Sequence, residues 1–322
     1  MKIGILGGGG CFALNFARLC NERGIDHFGI GRSKKFPPFW EIEHHYRYWK
    51  LHLVTELPAV MAVLDTERPD AIVNFAAQGE GAASFGQNAP DFFRTNTWAL
   101  SRLVLELQKR EYLKRFVQIG SSEVYGSTDK PVKESDPLNE SSPYAISKGA
   151  FDKYLGTMHR IHGFPMNIVR PSNCYTPGQQ LYRVIPKAIV CAMAKKKLPL
   201  QGGGVAMKSY LHATDLSRAV LDIVAKAPMG EIYNVAPAGP ISIHALVTMI
   251  AECCGISFEE LVEVVPDRVG QDAKYHLDST KIARDLGWVQ TIGIVKGIES
   301  MVEWARKYPE IVEMDTSYRH MP

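Results

Sequence analysis

Residues Lys2–Gly24 read KIGILGGGGCFALNFARLCNERG. A short apolar strand over Lys2–Leu6 runs straight into four glycines, and the helix that follows is closed by Gly24. The glycines fall as Gly7-x-x-Gly10-x-x-Ala13. Gly7 permits the tight turn, Gly10 lets backbone approach a phosphate, and Ala13 stands where a third glycine would let the helix pack close. Strand, glycine turn and helix in that order present a helix N-terminus to a dinucleotide pyrophosphate. Gly7, Gly10, Cys11 and Phe12 are therefore candidate cofactor-binding residues. A glycine cluster alone is weak evidence; its place directly behind an opening strand gives it weight.

Working outward, a second strand over about His27–Ile30 ends on Gly31-Arg32-Ser33-Lys34. An acidic residue there would bind a ribose 2′-hydroxyl and favour NAD. Arg32 and Ser33 suit a 2′-phosphate instead, so the reading favours NADP over NAD, against the plainer view that a basic loop begins here. The aromatic-rich segment from Phe36 to Tyr48 yields no assignment. A helix over Ala59–Thr66 is broken by Pro69, and a strand over Ala71–Phe75 leads into the small-residue loop AAQGEGAASF. Ala76 and Ala77 lie there along the path of the nicotinamide half of a cofactor. Asp91–Arg110 has helical periodicity and is expected as one helix. The alternation of strands and helices argues for an α/β fold, a doubly wound parallel sheet with right-handed crossovers.

The second decisive stretch is Ile119–Lys148, from IGSSEVYG to SSPYAISK. A strand over Arg115–Gly120 ends in a loop carrying Ser121, Ser122 and Glu123. A helix then starts near Ser142, with Ser as N-cap and Pro143 as first helical residue. Tyr144 and Lys148 are four apart and share a helix face. A lysine beside a phenol favours the phenolate and lowers its pKa, as a tyrosine base requires. Ser121 can hydrogen-bond the same substrate oxygen, and the set moves a proton on and off an alcohol while its hydride leaves. A lone Tyr-x-x-x-Lys would be better read as incidental; SSEVYG and the glycine turn reverse those odds.

The chain has 322 residues, 46% apolar and 22% charged, enough for a large core and two lobes. A net charge of +3 is too small to argue for nucleic acid. The six cysteines show no metal-binding spacing and read as free thiols of a reducing compartment. No apolar run approaches the ~20 residues of a membrane span, and no signal peptide precedes the first strand, so a cytoplasmic location is expected. After a strand over Met166–Val169 the alternation loosens. Residues 171–211 and 239–322 are expected to form a smaller C-terminal α/β substrate-binding lobe. Residues 212–238, with a helix over His212–Ala227 capped at Thr214 or Asp215 and a strand over Glu231–Asn234, should return to the 1–170 dinucleotide-binding domain.

With these residues in view, the chain resembles the extended short-chain dehydrogenases/reductases, and within them the nucleotide-sugar 4,6-dehydratases. The resemblance covers nearly the whole length. It rests on SSEVYG (121–126), PYAISK (143–148), RPSNCYTPGQ (170–179), LPLQGGG (198–204), EIYNV (231–235) and DRVGQDAKYHLDSTKIARDLGW (267–288). It implies a Rossmann-type fold, a bound nicotinamide cofactor and a nucleotide-diphosphate hexose substrate. It also implies a homodimer; the apolar stripes of 91–110 and of the helix after Pro143 offer two faces for a dimer bundle, or for packing on their own sheet. In such enzymes the hexose is oxidised at carbon 4, loses water across carbons 5 and 6, and regains the hydride at carbon 6. By position, Tyr144 is the base at the 4-hydroxyl, Lys148 its partner, Ser121 the hydroxyl and Glu123 the base at carbon 5. Ser84, Asn173, Arg183, Lys208 and Arg268 are carried over as substrate-binding residues. Ser122 stands where dTDP-glucose enzymes have an aspartate acid, Lys208 where an arginine is usual, and His52 where an aspartate usually lies near the adenine. A 4-epimerase or UDP-glucuronate decarboxylase of the same superfamily is the alternative, and Glu123 argues against a simple epimerase.

Overall fold

The computed structural model describes residues 1–33, 46–266 and 274–320. Six parallel strands are met first: β1 (Lys2–Leu6), β2 (Asp26–Gly31), β3 (Tyr48–Lys50), β4 (Ala71–Asn74), β5 (Arg115–Ile119) and β6 (Met166–Pro171). A seventh, Ile232–Val235, adds beside β6, and the sheet order is Ile232–Val235, β6, β5, β4, β1, β2, β3. Ile3 pairs with His27 on one side and Ala71 on the other, so the winding direction reverses between β1 and β4. At such a switch point the strand ends splay and leave a crevice at their carboxyl ends.

Two apolar layers cover the sheet, which is why its strands read as near-continuous hydrophobic runs. On one face Phe16, Ala17 and Cys20 of the first helix meet Leu216, Val220 and Ile223 over Ile3, Ile5 and Val117. On the other, Val60, Leu64, Leu103, Leu107, Phe151 and Leu155 cover Phe28, Ile72, Phe116 and Ile168. A third cluster joins Ile189, Leu246, Ile250, Ile298 and Met301 around Leu198 and Leu200, strand residues outside the main sheet. It forms the core of the C-terminal lobe. Together these make the doubly wound α/β fold with a smaller second lobe.

Three local readings change. Strand β3 lies at the end of the segment left unassigned, and pairs Tyr48 with Gly29. The expected helix over 91–110 is broken into α-helix Ala89–Phe93, a π-turn over Arg94–Ala99 and α-helix Leu100–Leu107. The wider turn brings the buried Asn96 carboxamide to the backbone of Gln78, and π-turns of this kind gather at functional sites. The helix Ala213–Lys226 is capped by the His212 ring, which accepts from the Thr214 N–H, rather than by Thr214 or Asp215. Asp215 is spent elsewhere: its carboxylate accepts from the Thr291 N–H and hydroxyl, the Ile292 N–H and Arg218.

Trp98, Leu105 and Ile146 are each close to half exposed on the helices Leu100–Leu107, its preceding π-turn, and Pro143–His162. Among the described residues no helix is long and apolar enough to cross a membrane.

Candidate active site

The crevice over β1 and β4 opens into one continuous cleft of about 1220 Å³. Its floor is the glycine turn. Gly7 has φ +71°, and a Cβ there would lie 2.6 Å from the Ala76 nitrogen, so only glycine lets the turn pass the end of β4. Gly10 caps the helix Cys11–Glu22 with no side-chain hydrogen bond and no acid in its first turn. The first backbone N–H groups therefore face the cleft without an anionic competitor, which fits the pyrophosphate of a dinucleotide. Gly10, Cys11, Phe12, Arg32, Ser33, Ala76 and Ala77 all line this cleft. Arg32 is half-buried and reaches the Gln78 carboxamide at 3.5 Å. His52 also lines it, its Nδ1 accepting from the Val54 N–H.

The next sector is built at the carboxyl end of β5. Ser121 is extended and accepts the Glu123 N–H at 3.2 Å, which caps the short helical turn Ser122–Tyr125. Pro143 starts the helix Pro143–His162 as expected, with the Ser142 hydroxyl accepting from the Ala145 N–H. This brings Tyr144 near Ser121 and the Glu123 carboxylate, both of which act on its phenol. Gly81 makes room for that carboxylate, since a Cβ there would lie 2.7 Å from Glu123 Oε2. Ser121, Ser122, Glu123, Tyr144 and Lys148 share the cleft wall.

The tyrosine–lysine pair does not behave as its spacing suggests. Burial pushes the Tyr144 phenol up, the Glu123 charge adds to this, and the Ser121 hydrogen bond and Arg183 charge pull the other way. The Lys148 ammonium instead donates to the Ile119 carbonyl at 2.6 Å. Burial lowers its pKa to about 8 from an ordinary 10.5, with buried Asp152 opposing. Sharing a helix face is thus not enough to make Lys148 the group that tunes the phenol. Behind it Asp152 accepts from Arg170 Nε at 2.9 Å, Arg170 donates to the Tyr125 hydroxyl, and that hydroxyl donates to Asn234 Oδ1. This chain ties the helix, β6 and the SSEVY turn together.

Asn173, Arg183 and Lys208 line the second half of the cleft. Lys208 lies over the Tyr275 ring at 3.6 Å, and Asn173 sits on a short strand paired with Tyr210–His212. Arg183 is closer to the chemistry than a diphosphate role implies: it bridges Glu80 at 2.8 Å and its charge is felt by both Tyr144 and Glu123. Ser84 does not reach the cleft. It is fully buried, donates to the Gly81 carbonyl at 2.6 Å and accepts the Tyr144 N–H at 3.1 Å, so it holds the start of the catalytic helix. Arg268 lies outside the described residues. Sequence reasoning missed Glu80, Asn96 and the Asp152–Arg170 pair. Glu80 has φ +133° between two glycines, a conformation costing a non-glycine residue about 1 kcal/mol or more, and that GEG pattern was its only sequence signal.

Lys148 supplies a prediction. Its pKa in the fold is below that of the unfolded chain, so the folded state is penalised at neutral pH, and the penalty is relieved as pH rises from 8 towards 10.5. A shift of that size is on the order of 3 kcal/mol. Lys148→Met leaves the Ile119 carbonyl with the Gln118 amide as donor. The variant should unfold at a higher temperature than the parent at pH 7, with the gap closing above pH 8. A lower melting temperature at pH 7 would show that the buried ammonium is net stabilising.

Comparison with known proteins agrees with this geometry. Residues 3–236 match the NAD dependent epimerase/dehydratase family. A dTDP-glucose 4,6-dehydratase of Streptomyces niveus is 34% identical over 238 residues, 74% of this chain and 70% of the relative. That of Escherichia coli is 31% identical over 313 residues, 86% of this chain and 85% of the relative. The crystal structure of dTDP-glucose 4,6-dehydratase from Streptomyces venezuelae, with NAD bound, superposes with a TM-score of 0.87 at 26% identity, covering 96% of this chain and 98% of that one. The glycine turn, the Ser121/Tyr144/Lys148 wall and these likenesses lead to one conclusion: the chain belongs to the NAD-dependent epimerase/dehydratase family, as a nucleotide-sugar 4,6-dehydratase-like member of the extended short-chain dehydrogenases/reductases.

Proposed function

We propose that the protein is a nucleotide-sugar 4,6-dehydratase, forming a 4-keto-6-deoxy sugar nucleotide from a nucleotide-diphosphate hexose. The observation that carries this reading is the meeting of Ser121, Glu123, Tyr144 and Lys148 on the wall of one cleft with the glycine turn, the Glu123 charge acting on the Tyr144 phenol. A nicotinamide dinucleotide, held by the glycine turn, Ala76, Ala77, Tyr144 and Lys148, supplies the hydride acceptor and donor. Tyr144 takes the proton of the 4-hydroxyl, and Ser121 hydrogen-bonds the same oxygen. The ketone so formed acidifies the hydrogen on carbon 5, which Glu123 removes. The Ser122 hydroxyl is too weak an acid to protonate a leaving group, so Glu123 returns that proton to the hydroxyl leaving carbon 6, and water departs. Carbon 6 then regains the hydride and carbon 5 takes up the proton that Tyr144 accepted. Asn173 and Lys208 face the nucleotide and its diphosphate, while Arg183, bridged to Glu80, stands nearer the reacting groups.

The decisive experiment is mass spectrometry of the protein with a panel of nucleotide hexoses and no added reductant. Loss of one water from one donor is expected, and Glu123→Gln should lower that rate at least ~100-fold, the range ascribed to a positioned acid–base group. A product of unchanged mass would replace the reading with a 4-epimerase, and loss of carbon dioxide from a uronate with a decarboxylase.

NADP is inferred as the preferred form. Arg32 and Ser33 follow β2 on the cleft wall with no acid at that strand end. Arg32→Ala should weaken NADP binding ~10-fold or more and leave NAD binding nearly unchanged, read by fluorescence titration. Equal loss for both cofactors would remove the assignment.

We further infer a homodimer through the helices that carry Trp98, Leu105 and Ile146, since large apolar side chains half exposed on neighbouring helices suit association. Leu105→Glu with Ile146→Glu should convert a dimer to a monomer in sedimentation analysis; a parent already monomeric at micromolar concentration would end this inference. All six cysteines are free, which supports a reducing, cytoplasmic setting.

A further inference from the structure

The last described residues return to the catalytic wall from the far lobe. After the helix Ile294–Lys307, the Asp315 carboxylate accepts from the Ser317 N–H and hydroxyl and from Arg319, turning the chain. Asp315, Ser317, Tyr318 and Arg319 line the cleft. Tyr318 stands edge-on to Tyr182 at 5.2 Å. Beyond it, His320 Nε2 donates to Asp91 Oδ2 at 2.9 Å. Its Nδ1 lies within hydrogen-bonding reach of the Tyr318 hydroxyl at 3.2 Å and the Gln78 amide at 3.3 Å.

Two contiguous routes run from His320 to Tyr144. The imidazole lies 6.0 Å from the Phe92 ring, and Phe92 meets the Tyr144 ring edge-on at 6.2 Å. Separately, Gln78 is clamped by Asn96, which donates to both the Gln78 carbonyl and Ser147 Oγ. Ser147 in turn donates to the Tyr144 carbonyl at 2.7 Å. Side chains joined by packing and hydrogen bonds restrict one another's rotamers, which is how a reacting group is held in place.

We propose that Asp315–His320 is a strap closing the cleft from the C-terminal lobe, with His320 as a positioning residue for Tyr144 through Phe92 and the Gln78–Asn96–Ser147 chain. The proposal rests on Tyr144 being the base at the reacting hydroxyl. His320 touches no reacting atom; its imidazole fixes the strap to Asp91 and backs the wall on which the phenol stands. The strap also covers the cleft between Arg32 and Tyr182, so release of a bound dinucleotide requires it to lift.

The test uses the full chain with His320→Ala, His320→Gln, Asp91→Asn and the double variant, plus a chain ending at Met314. His320→Ala should lower kcat ~10-fold with KM changed less than ~3-fold, the signature of misplaced rather than weakened binding. His320→Gln keeps an N–H where Nε2 donates and should recover most of the loss. Asp91→Asn and His320→Ala act on one contact, so the double variant should be no worse than the poorer single one. The shortened chain should release prebound dinucleotide ~10-fold faster, read by nicotinamide fluorescence on dilution. That readout needs no turnover, so it separates failure of the strap from failure of the dehydratase reading. Unchanged kcat in His320→Ala, additive losses in the double variant, or unchanged release from the shortened chain would each overturn the proposal.

Discussion

A buried ammonium has to find an acceptor, and in this protein the Lys148 ammonium finds the Ile119 carbonyl at the carboxyl end of β5. That bond joins the helix Pro143–His162, packed on the sheet through Phe151 and Leu155, to the strand end beside the site. Tyr144, one turn earlier on the helix, stands near Ser121, two residues beyond the strand end. Leaving the buried ammonium unpaired would cost more than the modest net gain of an ordinary hydrogen bond, whereas the Ile119 carbonyl also accepts from the Gln118 amide. Asp152, one further turn along, repeats the device with Arg170 of β6.

Charge in the cleft is arranged as compensation. Arg183 faces Glu80 directly and is felt by Glu123 and Tyr144. Glu123 raises the phenol while Arg183 and the Ser121 hydrogen bond lower it. An acid and a guanidinium thus act on the phenol in opposite senses within one cleft. The glycines serve the same end by absence: Gly7 admits the Ala76 backbone and Gly81 admits the Glu123 carboxylate.

The amino-acid sequence by itself determined the parts whose physics is local. The β1–glycine–helix unit, the Ser142/Pro143 helix start and the alternation of buried strands with striped helices are short-range patterns, and each stands where the sequence placed it. The cleft residues carried by motifs, from Gly7 to Lys208, line one cleft because the sheet order brings those motifs side by side. Tertiary structure decided the rest, because the deciding partner was distant in the chain. Ser84 is taken by the backbone of Tyr144 60 residues on, and Asp215 by Thr291 76 residues on, leaving His212 to cap. Lys148 turned to a strand carbonyl 29 residues away in place of the phenol four residues away. His320 reaches Asp91 across 229 residues, a contact no period or spacing encodes. Local rules fix what a segment can become; which of its polar groups remain for chemistry depends on what the fold brings beside them.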